Sequence, residues 1–95
     1  MAYFISERAA EDIYWLYEQG KRQFGERAAD AYQVLLGDAI QFAARHPLAS
    51  PVRETATGPV RVRYFGSHLI AYDVVDDDIV VQRVFHQSQD WDAGL

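Results

Sequence analysis

The chain has 95 residues, no cysteine, and 14 acidic against 9 Lys and Arg side chains, for a formal charge of −5. That length suits one domain, residues 1–95, with room for a single two-layer core and none for a separate cofactor domain. The lack of cysteine excludes a disulfide framework, a thiolate nucleophile and a cysteine metal site, and the acidic balance argues against a surface that grips nucleic-acid backbone broadly.

The opening stretch MAYFISERAAEDIYWL carries Glu7, Arg8, Glu11 and Asp12 where a signal peptide would have its apolar run. No later segment approaches the ~18 apolar residues of a membrane span. A soluble cytoplasmic protein that does not engage the membrane is therefore expected. Tyr3-Phe4-Ile5 reads as a short first strand, and Ser6 after it is a good N-cap, because its hydroxyl can accept from a first-turn amide. Ala9, Ile13, Leu16 and Phe24, with Ala10, Tyr17 and Gly20 beside them, then recur at helical spacing. This first helix is expected to end near Phe24-Gly25, with Gly25 in a left-handed capping conformation.

A second helix is expected from Glu26 to Arg45. It carries two apolar stripes, Ala28, Tyr32, Leu35, Ala39, Phe42 and Ala29, Leu36, Ile40, Ala43, so it needs cover on more than one side. Joined to the first helix at one glycine, it makes an antiparallel hairpin. His46-Pro47 closes it, and residues 47–59 read as a loop rich in Pro, Ser, Thr and Gly. After Pro59 the period changes from 3.6 to 2. Val60 to Phe65, Leu69 to Val75 and Ile79 to Phe85 read as three strands of a meander, with Asp76-Asp77-Asp78 as a turn. The expected fold class is α+β, a two-helix antiparallel hairpin packed on a curved antiparallel sheet in the order β-α-α-β-β-β.

Arg45, Arg53, Arg61 and Arg63 are opposed only by Glu54 in their stretch, so the middle of the chain is locally basic. Arg61 and Arg63 lie two apart on a strand and share a face, which Arg83 joins if the register allows. Such a set can bind phosphate, or it can pair with carboxylates, Asp73 among them, and keep an open face soluble. The histidines, His46, His68 and His86, show no metal-ligand spacing, so no metal and no cofactor is expected. His68 and His86 stand at strand ends, where each can serve as acid or base or simply as a structural hydrogen-bonding group. Trp15 falls about 200° from Ile13 around the first helix, in line with Glu11, Glu18 and Arg22. It therefore lies on the polar face beside Tyr14, as a candidate partner contact. In the terminal stretch RVFHQSQDW, Val84 is expected to face the core, with Arg83 and Phe85 on the opposite, open face.

The helix AAEDIYWLYEQ, the start FGERAADAY of the next, HP at its end, Gly66-Ser67-His68 followed by Ile70 and Tyr72, and the terminal RVFHQSQD together resemble the ParE branch of the RelE/ParE toxin superfamily. The resemblance covers almost the whole chain. It implies a toxin of a type II toxin–antitoxin system that inhibits DNA gyrase, through its A subunit, and blocks replication without being an enzyme. It also implies a ParD-like antitoxin with a ribbon-helix-helix N-terminus and a wrapping C-terminal segment, and no specific DNA binding by the toxin alone. The alternative it carries is a ribosome-dependent mRNA endonuclease of RelE type, for which Arg63, Arg83 and His86 are the catalytic candidates. The antitoxin is expected on Tyr14, Trp15, Glu18 and Arg22, by helix-in-groove packing and strand addition, and the target on Arg61, Arg63, Arg83, His86, Asp90 and Trp91.

Overall fold

A computed structural model of the chain describes residues 2–91 and 95. Strand β1 spans Tyr3–Ile5, helix α1 Glu7–Phe24, helix α2 Glu26–Arg45, and strands β2 to β5 span Val52–Thr55, Gly58–Phe65, His68–Val75 and Asp78–His86. Ser6 caps α1 as expected, its Oγ accepting from the Ala9 amide at 3.0 Å. Gly25 ends α1 and starts α2 at φ 92° and ψ 165°. Its φ is positive, but its ψ is extended and not left-handed helical, a conformation open to glycine and strained for other residues.

The five strands form one sheet in the order β1-β5-β4-β3-β2. The expected hairpin on a sheet, α+β, is what the chain adopts, with two differences. Residues Val52–Thr55 form a strand where a loop was expected. They pair with β3 from Val52↔Arg61 to Thr55↔Gly58 across a two-residue turn. Four mostly exposed residues just after a proline carry too little alternation to announce themselves. The sheet is also mixed, because β1 runs parallel to β5, from Tyr3↔Ile79 to Ile5↔Val81.

Both faces of the sheet carry a core. On the helix side Ile70, Tyr72, Ile79, Val81 and Val84 pack under Leu36, Ile40 and Ala43 of α2. On the other side Val60, Val62, Leu69, Ala71 and Phe85 form a second cluster, against which Trp91 and Leu95 pack. Leu69, Ile70, Tyr72, Ile79, Val62 and Val81 are fully buried, each contributing about 1.5–3 kcal/mol. A bulge makes the β5 pattern possible. Ala71 pairs with Arg83 and Tyr72 with Val81, so Gln82 is the extra residue and Val81 and Val84 both face the helices despite odd spacing. Val84 thus faces the core as expected, while the face that Phe85 joins is covered, not open.

Candidate binding site between the helical hairpin and the β3–β4 turn

One side chain of α2 organises the turn between β3 and β4. The Tyr32 hydroxyl accepts from the Ser67 amide at 3.0 Å and lies 2.6 Å from His68 Nδ1. Gly66 has φ +50°, and a Cβ there would stand 2.5 Å from the Tyr32 oxygen. Glycine at this position is therefore fixed both by backbone conformation and by the approach of the phenol. His68 pairs directly with His86 across β4 and β5, with ring centres 4.9 Å apart and nearly perpendicular. Burial, and then the neighbouring His86, push the His68 imidazole down to about 4, so it is neutral at pH 7. His86 accepts through Nδ1 from the Ser88 amide at 3.0 Å.

The two histidines and Ser67 close one end of a cavity of about 340 Å³, a size suited to a small ligand or an inserted side chain. Its walls come from the hairpin, with Leu16, Gly20 and Phe24 on α1 and Ala28, Ala29 and Gln33 on α2. Gly20 faces Ala29 across the hairpin, where an added Cβ would stand 3.7 Å from Ala29 Cβ, an ordinary packing distance. Tyr17 donates to Asp30 at 2.7 Å and ties the hairpin together; that bond and the nearby carboxylates push its phenol up to about 12. Among the described residues no three His, Cys, Asp or Glu side chains gather as metal ligands. None of the helices described is long and apolar enough to cross a membrane.

Tyr14 and Trp15 stand out from α1 as an edge-to-face pair with centres 5.3 Å apart, and Trp15 is 59% exposed. Glu18 lies 3.7 Å from Lys21, and Arg22 is exposed. These four residues occupy the polar stripe of α1, and none of them lines the cavity, which takes Leu16, Gly20 and Phe24 from the opposite face of the helix. The arginines do not come together. Arg61 and Arg63 pair with Tyr72 and Ile70 and so lie on the helix side, whereas Arg83 pairs with Ala71 on the opposite face. Arg61 donates to the carbonyls of Ser50 (2.7 Å) and Leu48 (3.4 Å), pinning the segment before β2. Arg63 lies over Phe42, 3.9 Å from the ring centre, and its Nε is buried with no hydrogen-bond partner among the described residues. The expectation of three arginines on one open face is therefore overturned by the bulge in β5, which sets the parity of Arg83. Asp73 likewise accepts from Gln82 (2.9 Å) and not from an arginine.

The carboxylate that holds Arg83 is Asp12, which sequence reading used only to exclude a signal peptide. Asp12 accepts from Arg83 Nε at 2.7 Å and Nη2 at 3.1 Å, and from the Val84 amide at 2.9 Å. This acidic group raises the arginine further above its usual range. Of the remaining target candidates, His86 and Asp90 are exposed, while Trp91 is half-buried against the second core, 6.3 Å from the Phe85 ring. Tyr32 and Phe24 escaped notice as site residues because an apolar stripe on a helix reads first as core, and Gln33 because a lone polar residue on a helix reads first as solvent-facing. The usable signal was Gly66-Ser67-His68, whose glycine implies a close approach.

A helical hairpin over a mixed sheet, with its arginines dispersed, defines a small α+β protein with an apolar groove between its helices and one turn of its sheet. The family model for the ParE toxin of the type II toxin–antitoxin system parDE matches residues 3–91, and the chain belongs to that family. In fold it is similar to a chain of the chromosomal ParDE system of P. aeruginosa, at a TM-score of 0.76 and 16% identity over 90% of this chain and 95% of that one. No curated protein matches it.

Proposed function

We propose that this ParE-family toxin acts in the cytoplasm by binding DNA gyrase through its A subunit, blocking replication and arresting growth, and that a ParD-like antitoxin neutralises it. The observation that carries this reading is the separation of Arg63 and Arg83 onto opposite faces, with Arg83 held by Asp12. A ribosome-dependent endonuclease would need those arginines and His86 around one phosphate. A toxin that acts by occupying its target needs only a surface. The antitoxin is expected to carry a ribbon-helix-helix N-terminus for DNA binding and a C-terminal segment that lies along Tyr14, Trp15, Glu18 and Arg22 and enters the hairpin groove.

The experiment is a supercoiling assay with purified gyrase, toxin and antitoxin. Inhibition with accumulation of cleaved DNA, relieved by the antitoxin, is expected. Normal supercoiling in saturating toxin, together with cuts in translated mRNA that vanish in His86→Ala, would establish the endonuclease instead.

A further inference from the structure

The hairpin cavity carries donors that nothing among the described residues satisfies. Nδ1 of His86 accepts from the Ser88 amide, a group with only a hydrogen to give, so the ring proton of the neutral imidazole sits on Nε2. The Tyr32 oxygen accepts from the Ser67 amide, and its own hydrogen goes to His68 Nδ1 at 2.6 Å in preference to the Phe65 carbonyl at 3.5 Å, which leaves the His68 proton on Nε2. Gln33 lines the same cavity, and its Nε2 is buried in the wall without a partner among the described residues. Two imidazole N–H groups thus border one apolar space, with the unpaired Gln33 amide in its wall. In a chain with 14 acidic residues, none of those lining this cavity is acidic.

We propose that the cavity is a socket for a partner segment that inserts an apolar side chain and sets a carboxylate, carried within one helical turn of it, against His68, His86 and Gln33. The proposal rests on the antitoxin-bound reading above and names the chemistry the antitoxin segment brings. A metal ion does not fit, because both imidazoles offer N–H where a metal needs a lone pair. A neutral apolar insert would fill the walls and cover the imidazole donors while leaving them and the Gln33 amide unpaired, which is costly, whereas a carboxylate offers them an acceptor in charge-assisted bonds. The titratable groups bordering the cavity beside His68 are Tyr17 of α1, Tyr32 of α2 and His86 of β5. An anion placed among them raises the proton affinity of both imidazoles, so binding takes up protons and tightens as pH falls.

The test begins with 4-phenylbutyrate and 4-phenylbutanol as probes, followed by NMR of the imidazole nitrogens. The acid is expected to bind ~10-fold tighter than the alcohol, to shift His68 and His86, and to bind more tightly at pH 5.5 than at pH 7.5 with measurable proton uptake. His86→Ala and Gln33→Leu should each erase the preference for the acid while leaving the melting temperature in place. Proton uptake by the unsubstituted protein keeps the test decisive if a variant fails to fold. Equal affinity for acid and alcohol, or shifts mapping elsewhere, would overturn the socket. A second arm compares a helical peptide bearing Leu and Glu four residues apart with its Gln counterpart. A preference for the Glu peptide supports the partner segment. Preference for phenylbutyrate alone would instead assign the site to a free carboxylate and overturn the partner form. A protein that passes both arms yet leaves gyrase untouched refutes the gyrase target and not the socket.

Discussion

Tyr32 and Gly66 form a contact in which each residue explains the other. The phenol serves two groups of the turn at once, the Ser67 amide and His68 Nδ1, and the missing Cβ of Gly66 is what lets it approach. Gly66→Ala is expected to cost ~2 kcal/mol or more, from the positive φ and the clash together. Adding Tyr32→Leu should cost less than the two changes summed, which urea denaturation of the four variants in a double-mutant cycle will show. His68 sets a pH dependence of definite sign. Its value is about 4 when folded against 6.5 in an ordinary setting, so between these the unfolded chain binds a proton that the folded chain refuses. Stability should therefore fall as pH drops from about 6.5 toward about 4. Allowing for partial exposure, the loss is ~1–2 kcal/mol. Denaturation midpoints in His68→Gln should lose this slope; an unchanged slope would place the dependence elsewhere.

At the scale of elements, strand β5 is long while its neighbour β1 is three residues, which leaves the outer edge of β5 bare beyond Val81. Side chains finish what β1 does not. The Ser6 hydroxyl donates to the Gln82 carbonyl (2.8 Å), Asp12 accepts from the Val84 amide, and the Gln89 side chain accepts from the His86 amide (2.8 Å). This edge cannot accept an added strand, so the strand addition expected for an antitoxin has β2 as its available edge. Asp12→Ala leaves both the arginine and the amide without their acceptor in a largely buried setting. It should destabilise the fold by ~2–4 kcal/mol, read from the shift in denaturation midpoint. Trp15 stands one turn beyond Asp12 on the exposed surface of α1 and belongs to no core. Trp15→Ala should leave stability within about 0.5 kcal/mol but weaken the antitoxin complex by ~1–3 kcal/mol in calorimetry. An unchanged dissociation constant would remove it from the interface.

For the whole molecule, what could be read in advance was whatever followed from local periodicity. Both helices end where capping and proline rules put them, and three of the five strands alternate clearly enough to be seen. The short strand β2 and the parallel placement of β1 depend on partners remote in sequence, which no local pattern encodes. The site suffered most from one inserted residue. Without the bulge at Gln82, parity would place Arg83 with Arg61 and Arg63; with it, Arg83 crosses the sheet and meets Asp12. The second core escaped notice for a related reason. Val60, Val62, Leu69 and Phe85 alternate as a strand face should, but that Trp91 and Leu95 cover them depends on how the tail folds back.

The pairing of β1 with β5 has a consequence in time. Ser6 and the Gln82 carbonyl it bonds are 76 residues apart. At a synthesis rate of about 5–20 residues per second, the first strand waits roughly 4–15 s for its neighbour to exist. During that interval the helical hairpin can form from local contacts, while its apolar underside has no sheet to lie on. A chain in this state presents its hairpin to the surroundings before it is a finished toxin. A binding partner that recognises the hairpin alone could thus capture the nascent chain ahead of the completed surface that any target would need.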